Sequence, residues 1–201
     1  ASPVRCFHPE AAAEMIAEIE RAKEDRDTLG GIVEVVVYGL VPGIGSHVHW
    51  DRKLDARLAL ALMSIPAIKG VELGDGFESA TRRGSEAHDE IFYDKGFTRH
   101  TNRAGGTEGG MTIGGPLRVR AAMKPISTVL KGLQTVDVNS KVAERAFYER
   151  SDTCAVPAAG VVAEQMVAIV IAQECQRMFG GDTVDDFRRA AQAYRERMER
   201  F

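Results

Sequence analysis

The 201-residue sequence has little of what stabilises small secreted proteins or holds metal clusters. Its three cysteines, Cys6, Cys154 and Cys175, are odd in number and show no CxxC spacing. Neither a disulfide framework nor a zinc site is therefore indicated, and a reducing cytoplasm is the expected location.

An excess of positive charge and long apolar runs are also lacking. The formal net charge is −3 and no dense Lys/Arg tract occurs, which argues against a nucleic-acid binder. The apolar run at residues 166–172 is far too short to span a bilayer, and no signal peptide opens the chain. What the chain has instead is 44% apolar and 27% charged residues, a composition typical of one soluble globular domain with a core.

Apolar residues at helical spacing predict four helices. The first begins near Pro9, and the second carries leucines four residues apart after Asp51, a plausible N-cap. The third, residues 158–178, is apolar almost all round and is expected inside a helical layer, ending at Gly180 and Gly181. The fourth carries an apolar stripe from Val184 to Met198, with Asp182 or Thr183 as its cap.

The strand patterns fall between these helices without regular alternation. "GIVEVVVYGL" (residues 31–40) is rich in β-branched residues, and "PLRVRAAM" (116–123) alternates apolar residues with arginines, as in a half-exposed strand. We therefore predict an α+β fold in a single domain over residues 1–201. Residues 81–108, rich in charge and glycine, are predicted to form a mobile loop within it.

Three stretches carry candidate chemistry, each with a structural alternative. "TNRAGGTEGGMTIGG" has six glycines in residues 101–115 but matches no phosphate-loop motif, so a flexible loop is the better interpretation. "KPIST" offers the Lys124 ammonium and two hydroxyls to an anion, or merely a turn after a strand. "ERSDTC" places Arg150 and Asp152 before a buried helix, as a clamp and a proton acceptor or as a simple pair.

The histidines do not indicate a metal centre. His47 and His49 would share a face if they lay on a strand, a spacing that metals use. No third ligand stands at a suitable distance in the sequence, so a surface or packed pair is favoured.

The order and wording of several segments resemble one known family. "GSHVHWDRKLDARLALALMSIPAIKGVELGDGF", "GSEAHDEI", "TNRAGGTEGGMT", "PLRVRAAMKPIST" and "RSDTCAVPAAGVVAE" together resemble the C-terminal half of chorismate synthase, most strongly over residues 33–178. The resemblance implies one of two repeated units of a β-α-β sandwich, in which antiparallel sheets enclose a layer of long helices. It also implies assembly as a homotetramer.

The resemblance implies a lyase of the shikimate pathway that leads to aromatic amino acids. That family converts 5-enolpyruvylshikimate 3-phosphate to chorismate by anti-1,4-elimination of phosphate, with reduced FMN as cofactor. Carried over by motif, Asp152 is the catalytic proton acceptor. The implied FMN-binding residues are Pro66, Ala67, Gly109, Lys124, Pro125, Ile126, Ser127, Thr128 and Arg150. At position 66 the family usually has Gln or Asn, and Pro66 departs from that pattern. Of this pair, Ala67 therefore matches the family motif better.

Three family segments do not occur in this sequence. They are the "GESHG" and "RPGHAD" segments, each with a catalytic histidine, and an arginine-rich "SSARET" block. Two hypotheses follow. The chain is the C-terminal part of an active chorismate synthase, or by itself it is an inactive half that binds flavin or has only a structural role.

Overall fold

The computed structural model describes residues 2–148 and 150–201. The helices of these residues are α1 (Pro9–Glu24), α2 (Leu54–Met63), α3 (Gly76–Ser79), α4 (Gly84–Ala87), α5 (Val156–Phe179) and α6 (Val184–Glu199). The strands are β1 (Gly31–Val37), β2 (Ile68–Leu73), β3 (Ile91–Tyr93), β4 (Phe97–Arg99), β5 (Thr107–Glu108), β6 (Met111–Thr112), β7 (Leu117–Met123), β8 (Gln134–Val136) and β9 (Ala143–Arg145). The predicted α+β class is confirmed.

A three-stranded antiparallel sheet in the order β1-β7-β2 forms the centre of the fold. Leu117, Val119 and Ala121 of β7 are buried and alternate with half-buried Arg118 and Arg120, as the sequence predicted. This alternation places one apolar face of the sheet against the helices. The other face carries charged pairs such as that between Arg120 and Glu72 of β2.

Helices α2 and α5 cover the apolar face of the sheet. Leu54, Leu58 and Leu62 of α2 are fully buried and, with Val167 of α5, belong to the same core cluster as β7. Asp51, predicted as the N-cap of α2, lies instead in a single 3-10 turn (Trp50–Arg52), and the cap position is held by Lys53. The prediction was wrong because the extended Lys53 separates the turn from the helix.

Helix α5 is buried along one stripe rather than all round. Its opposite side exposes Val161, Val162 and Ile169, and the neighbouring α2 exposes Leu60 and Met63. We call these five residues the open helical face. The expectation that α5 lies inside a helical layer is thus met only along its inner stripe in the described part of this chain.

Helix α5 is long and apolar enough, by length and composition alone, to cross a membrane. Its inner stripe packs on β1 and α2 and includes Glu174, which is 1% exposed and ion-paired with Arg57 of α2. These contacts are those of a core helix that packs within a folded domain. Its end at Gly180, where φ is 64°, and the Thr183 cap of α6 are as predicted.

Residues 81–108 contain short regular elements rather than a continuous loop. Helix α4 and the hairpin β3–β4 lie within them. The buried Asp89 carboxylate accepts hydrogen bonds from the Thr101 hydroxyl and from the backbone N–H groups of Arg103 (2.8 Å) and Ala104 (2.9 Å). This anchor ties the hairpin to the glycine-rich segment, while the mobility of residues 81–108 stays a prediction.

Candidate functional site

Residues 124–128, which we call the corner loop, continue directly from the end of β7. The Lys124 N–H donates to the Ala67 carbonyl oxygen at 2.9 Å, so the turn before β2 lies beside the start of the loop. Ala67 has a φ of 67°, a left-handed conformation that costs free energy for a residue with a side chain. Such strain is held in place by surrounding structure and is frequent at functional sites.

The segment before β1 lies against the corner loop on the other side. The Thr28 hydroxyl donates to the Ile126 carbonyl oxygen at 2.7 Å. Gly30 packs so closely that a β-carbon there would lie 2.3 Å from the Met123 carbonyl oxygen and 2.9 Å from the Pro125 nitrogen. Only glycine allows this approach without moving one of the two segments.

The approach to α5 completes the arrangement. The Ser151 hydroxyl donates to the Thr128 carbonyl oxygen at 3.0 Å, and the Leu29 N–H donates to the Thr153 carbonyl oxygen at 2.8 Å. Arg150 and Asp152, on either side of half-buried Ser151, are exposed. The fold therefore brings residues 124–128, 150–152 and Ala67 together at one corner, although they are far apart in sequence.

Gly109 lies elsewhere. It occupies the exposed turn between β5 and β6 with a φ of 61°. The next residue, Gly110, accepts backbone hydrogen bonds from Ser46 and Leu54, and Gly106 packs on Leu117 at the start of β7. The corner loop follows the end of β7, and seven residues at about 3.3 Å each put Gly106, at the base of the β5–β6 turn, roughly 20 Å from the corner.

The corner presents hydrogen-bond donors to solvent. Lys124 and Ser127 are exposed, Thr128 is half-buried, and Arg150 is exposed beside them. Within residues 2–148 and 150–201, neither Lys124 nor Arg150 makes a salt bridge. Two cations and two hydroxyls with free donors suit an anionic, oxygen-rich ligand. Pro66, Pro125 and Ile126 add apolar surface beside them.

Other candidate chemistry does not converge here. In the described part of the chain, no group of three or more His, Cys, Asp or Glu side chains is placed to hold a metal ion. His47 and His49 lie in an exposed irregular segment, not on a strand. A surface depression of about 410 Å³ is lined by Arg57, Gln173, Gln176 and Arg177, near the end of α5 farther from the corner.

Thr28, Gly30 and Ser151 are the residues that sequence reasoning missed. The hydrogen-bond partner of Thr28 lies 98 residues away in the sequence and that of Ser151 lies 23 residues away. No local sequence pattern therefore reveals these bonds. The one available signal was the position of Ser151 between two candidate site residues.

Comparison with known proteins decides the family. The family model described as chorismate synthase matches residues 1–175. The chain belongs to the chorismate synthase family. The resemblance inferred from the motifs is thereby confirmed.

Individual chorismate synthases are similar over nearly all of this chain. The enzyme of Acidothermus cellulolyticus is 65% identical over 195 residues, which are 96% of this chain and 50% of the relative. That of Paenarthrobacter aurescens is 59% identical over 198 residues, 98% of this chain and 50% of the relative. A crystal structure of chorismate synthase superimposes with a TM-score of 0.80 at 43% identity, covering 96% of this chain and 51% of that one. The chain thus spans about half the length of these chorismate synthases.

Proposed function

We propose that this chain supplies the C-terminal half of a chorismate synthase. In this function, phosphate is eliminated from 5-enolpyruvylshikimate 3-phosphate by an anti-1,4 route to give chorismate, a step toward the aromatic amino acids. The observation that carries the proposal is the corner itself. Three of the segments matched by motif, Ala67, residues 124–128 and residues 150–152, meet there through direct hydrogen bonds.

The residues at the corner fit FMN. Lys124, Ser127, Thr128 and Arg150 offer a cationic and hydroxylic surface suited to its phosphate and polar edges. Ala67 and its apolar neighbours offer a surface for the planar ring. Gly109 lies on the separate β5–β6 turn near the other end of β7, and its contact with FMN stays a prediction. When bound in reduced form, FMN supplies electron density for the departure of phosphate.

Asp152 has the role of proton acceptor in this proposal. Its carboxylate is exposed on the segment that Ser151 ties to the corner loop. A general base must lie within hydrogen-bond reach of the proton that it removes, and a fixed segment holds it there.

The test compares three variants of the full gene product that contains this chain. Lys124→Ala should weaken FMN binding about tenfold, because a charge-assisted contact is lost. Asp152→Ala should bind FMN within about twofold of wild type yet lower kcat by roughly 10²-fold or more. Lys23→Ala, which removes an exposed lysine of α1, is the matched control. Wild-type behaviour of both site variants would refute the assigned roles.

A second candidate is that the chain alone is an inactive half. The coverage of about half of each relative and the open helical face both favour it. Loss of two general-acid histidines would lower the rate by about 10² to 10⁴ for each. We expect no chorismate from the 201-residue chain in a coupled assay with reduced FMN. Measurable turnover would reject this alternative.

Assembly and location are part of the proposal. We propose a homotetramer, which the resemblance to the family implies, and a cytoplasmic location, because the free thiols of Cys6, Cys154 and Cys175 suit a reducing compartment. Sedimentation of the full gene product tests the tetramer.

A further inference from the structure

Two hydroxyl groups connect the segments of the corner, and neither belongs to the residues assigned above to FMN or to proton transfer. Thr28 and Ser151 are both half-buried, and each donates to a backbone carbonyl of the corner loop, at Ile126 and Thr128. The two acceptors are only two residues apart. The loop is thus held from the β1 side and from the α5 side over a span of three residues.

The segment that carries Thr28 is itself fixed. The Asp27 carboxylate accepts from the Thr28 N–H at 2.9 Å and forms an ion pair with Lys131 at 2.9 Å, just beyond the corner loop. The hydrogen bond from Lys131 is the main cause that lowers the pKa of Asp27. The Leu29 N–H then bonds residue 153, and Gly30 packs on Met123. Residues 27–30 therefore contact the first half of the loop and the residues on both sides of it.

The two hydroxyl groups bond to backbone carbonyls of the corner loop, so the side chains of the loop stay available to a ligand. Lys124 and Ser127 of the loop are exposed, as are Arg150 and Asp152 beside Ser151. If either hydroxyl were removed, a half-buried carbonyl would lose its donor. Loss of the Ser151 hydroxyl would break a direct link between the two ligand-binding segments, and loss of the Thr28 hydroxyl would break the link that runs through residues 27–30 to Thr153.

We propose that Thr28 and Ser151 are positioning residues. By donating hydrogen bonds to the Ile126 and Thr128 carbonyl oxygens, they fix the distance between two groups of side chains. One group is the donors of Lys124, Ser127 and Thr128, and the other is Arg150 and Asp152. This inference rests on the proposed function for its flavin part. The positioning of the loop itself needs no ligand and is measurable separately.

The first measurement is hydrogen exchange, without FMN, of the backbone N–H groups of Lys124 and Gly132, which donate to the Ala67 and Val129 carbonyl oxygens on the two sides of the loop. Thr28→Val and Ser151→Ala should raise exchange there about fivefold, because one net hydrogen bond is lost. Thr28→Ser keeps the hydroxyl and should exchange like wild type. Thr81→Val is the matched control, since the Thr81 hydroxyl makes the same type of bond, to the Glu78 carbonyl at 2.8 Å, on another part of the surface. Unchanged exchange in both site variants would overturn the inference.

The second measurement is the Kd of FMN for the full gene product, from quenching of flavin fluorescence. Thr28→Val and Ser151→Ala should raise the Kd about fivefold, and Thr28→Ser should restore it to within about twofold. Faster exchange with an unchanged Kd would overturn the positioning role toward the flavin but leave the proposed function standing. No FMN binding by the wild-type protein would overturn the proposed function as well. Ser151→Ala, which removes a single atom, serves if Thr28→Val does not fold.

Discussion

At the scale of single residues, Ala67 shows how the corner stores strain. Its left-handed φ of 67° is one that alanine adopts only at a cost, and its carbonyl oxygen fixes the first residue of the corner loop. The sequence marked this position by its resemblance to a flavin-contacting pair. It gave no sign of the backbone conformation, because "SIPAIKG" contains no glycine at the position that adopts it.

Substitution of Ala67 tests this strain directly. Ala67→Gly should keep or slightly raise the free energy of unfolding, since glycine adopts a positive φ readily. Ala67→Val should lower it by about 1–2 kcal/mol, because a β-branched residue fits that conformation poorly. Ala122→Val, on an exposed position of β7, is the control and should be neutral. Urea unfolding measures all three, and equal stability of the valine variants would contradict the account.

Asp89 predicts a pH dependence of stability. Burial raises its pKa, but hydrogen bonds from Thr101, Ala104 and Arg103 and the charge of Arg99 outweigh burial, so the pKa is lowered overall. A carboxyl whose pKa is lower when folded stabilises the fold above the unfolded pKa of about 3.9. That contribution is lost as the pH falls through the lower folded pKa.

The measurement is the free energy of unfolding of wild type and Asp89→Asn between about pH 7 and pH 2. The variant should be less stable at pH 7, because an amide presents its own N–H₂ to one of the donors. The gap should narrow toward low pH. A gap that stays constant over this range would show that the ionised carboxylate is not the stabilising species.

At the scale of elements, α2 and α5 are joined by an ion pair inside the core. Glu174 is 1% exposed and pairs with Arg57 of α2, which is 22% exposed, and with Arg177 one turn along α5. The Arg57 guanidinium also donates to Gln173 at 2.8 Å. Removing one partner of such a pair leaves a buried charge with fewer donors, and this is usually worse than removing both.

Arg57→Met should therefore lower the free energy of unfolding by about 2–3 kcal/mol, measured by urea denaturation. The double variant Arg57→Met with Glu174→Leu should recover most of that loss. Arg188→Met, which breaks an exposed pair with Asp185 in α6, should change stability within experimental scatter. A double variant less stable than Arg57→Met alone would contradict the explanation.

The elements also show what the sequence could and could not predict. The alternation of β7 and the glycine stop of α5 are local patterns, and both were predicted correctly. The cap of α2 was wrong because an extended residue between a 3-10 turn and a helix leaves no mark in the hydrophobic spacing. The apolar composition of α5 indicated a core helix but not which of its sides this chain covers.

At the scale of the whole molecule, the open helical face exposes apolar side chains that a helix in a closed domain would bury. Leu60 is 73% exposed and Ile169 is 50% exposed, on adjacent helices. Several exposed apolar side chains on two packed helices are typical of an interaction site. The relatives carry about as many residues again as this chain matches, and those residues are the occupants that we expect on this face.

We expect the chain alone to bind a hydrophobic dye and to self-associate in sedimentation experiments. Leu60→Glu combined with Ile169→Glu should reduce both, because charge on the face disfavours apolar contact. Val138→Glu, at an exposed residue between β8 and β9, is the matched control. Dye binding unaffected by the double substitution would mean that the apolar surface responsible lies elsewhere.

The central position of strand β7 limits where related chains can carry insertions or deletions. It runs from the neighbourhood of the glycine-rich turn to the corner loop. Strand β1 pairs with it residue by residue, and β2 pairs with it apart from one irregularity between Ile68 and Gly70. Inserting one amino acid there would turn the following side chains to the opposite face, and inserting two would displace the corner by roughly 7 Å. Length differences among related chains should thus accumulate in residues 81–108 and 131–146, while the stretch between Leu117 and Met123 tolerates none.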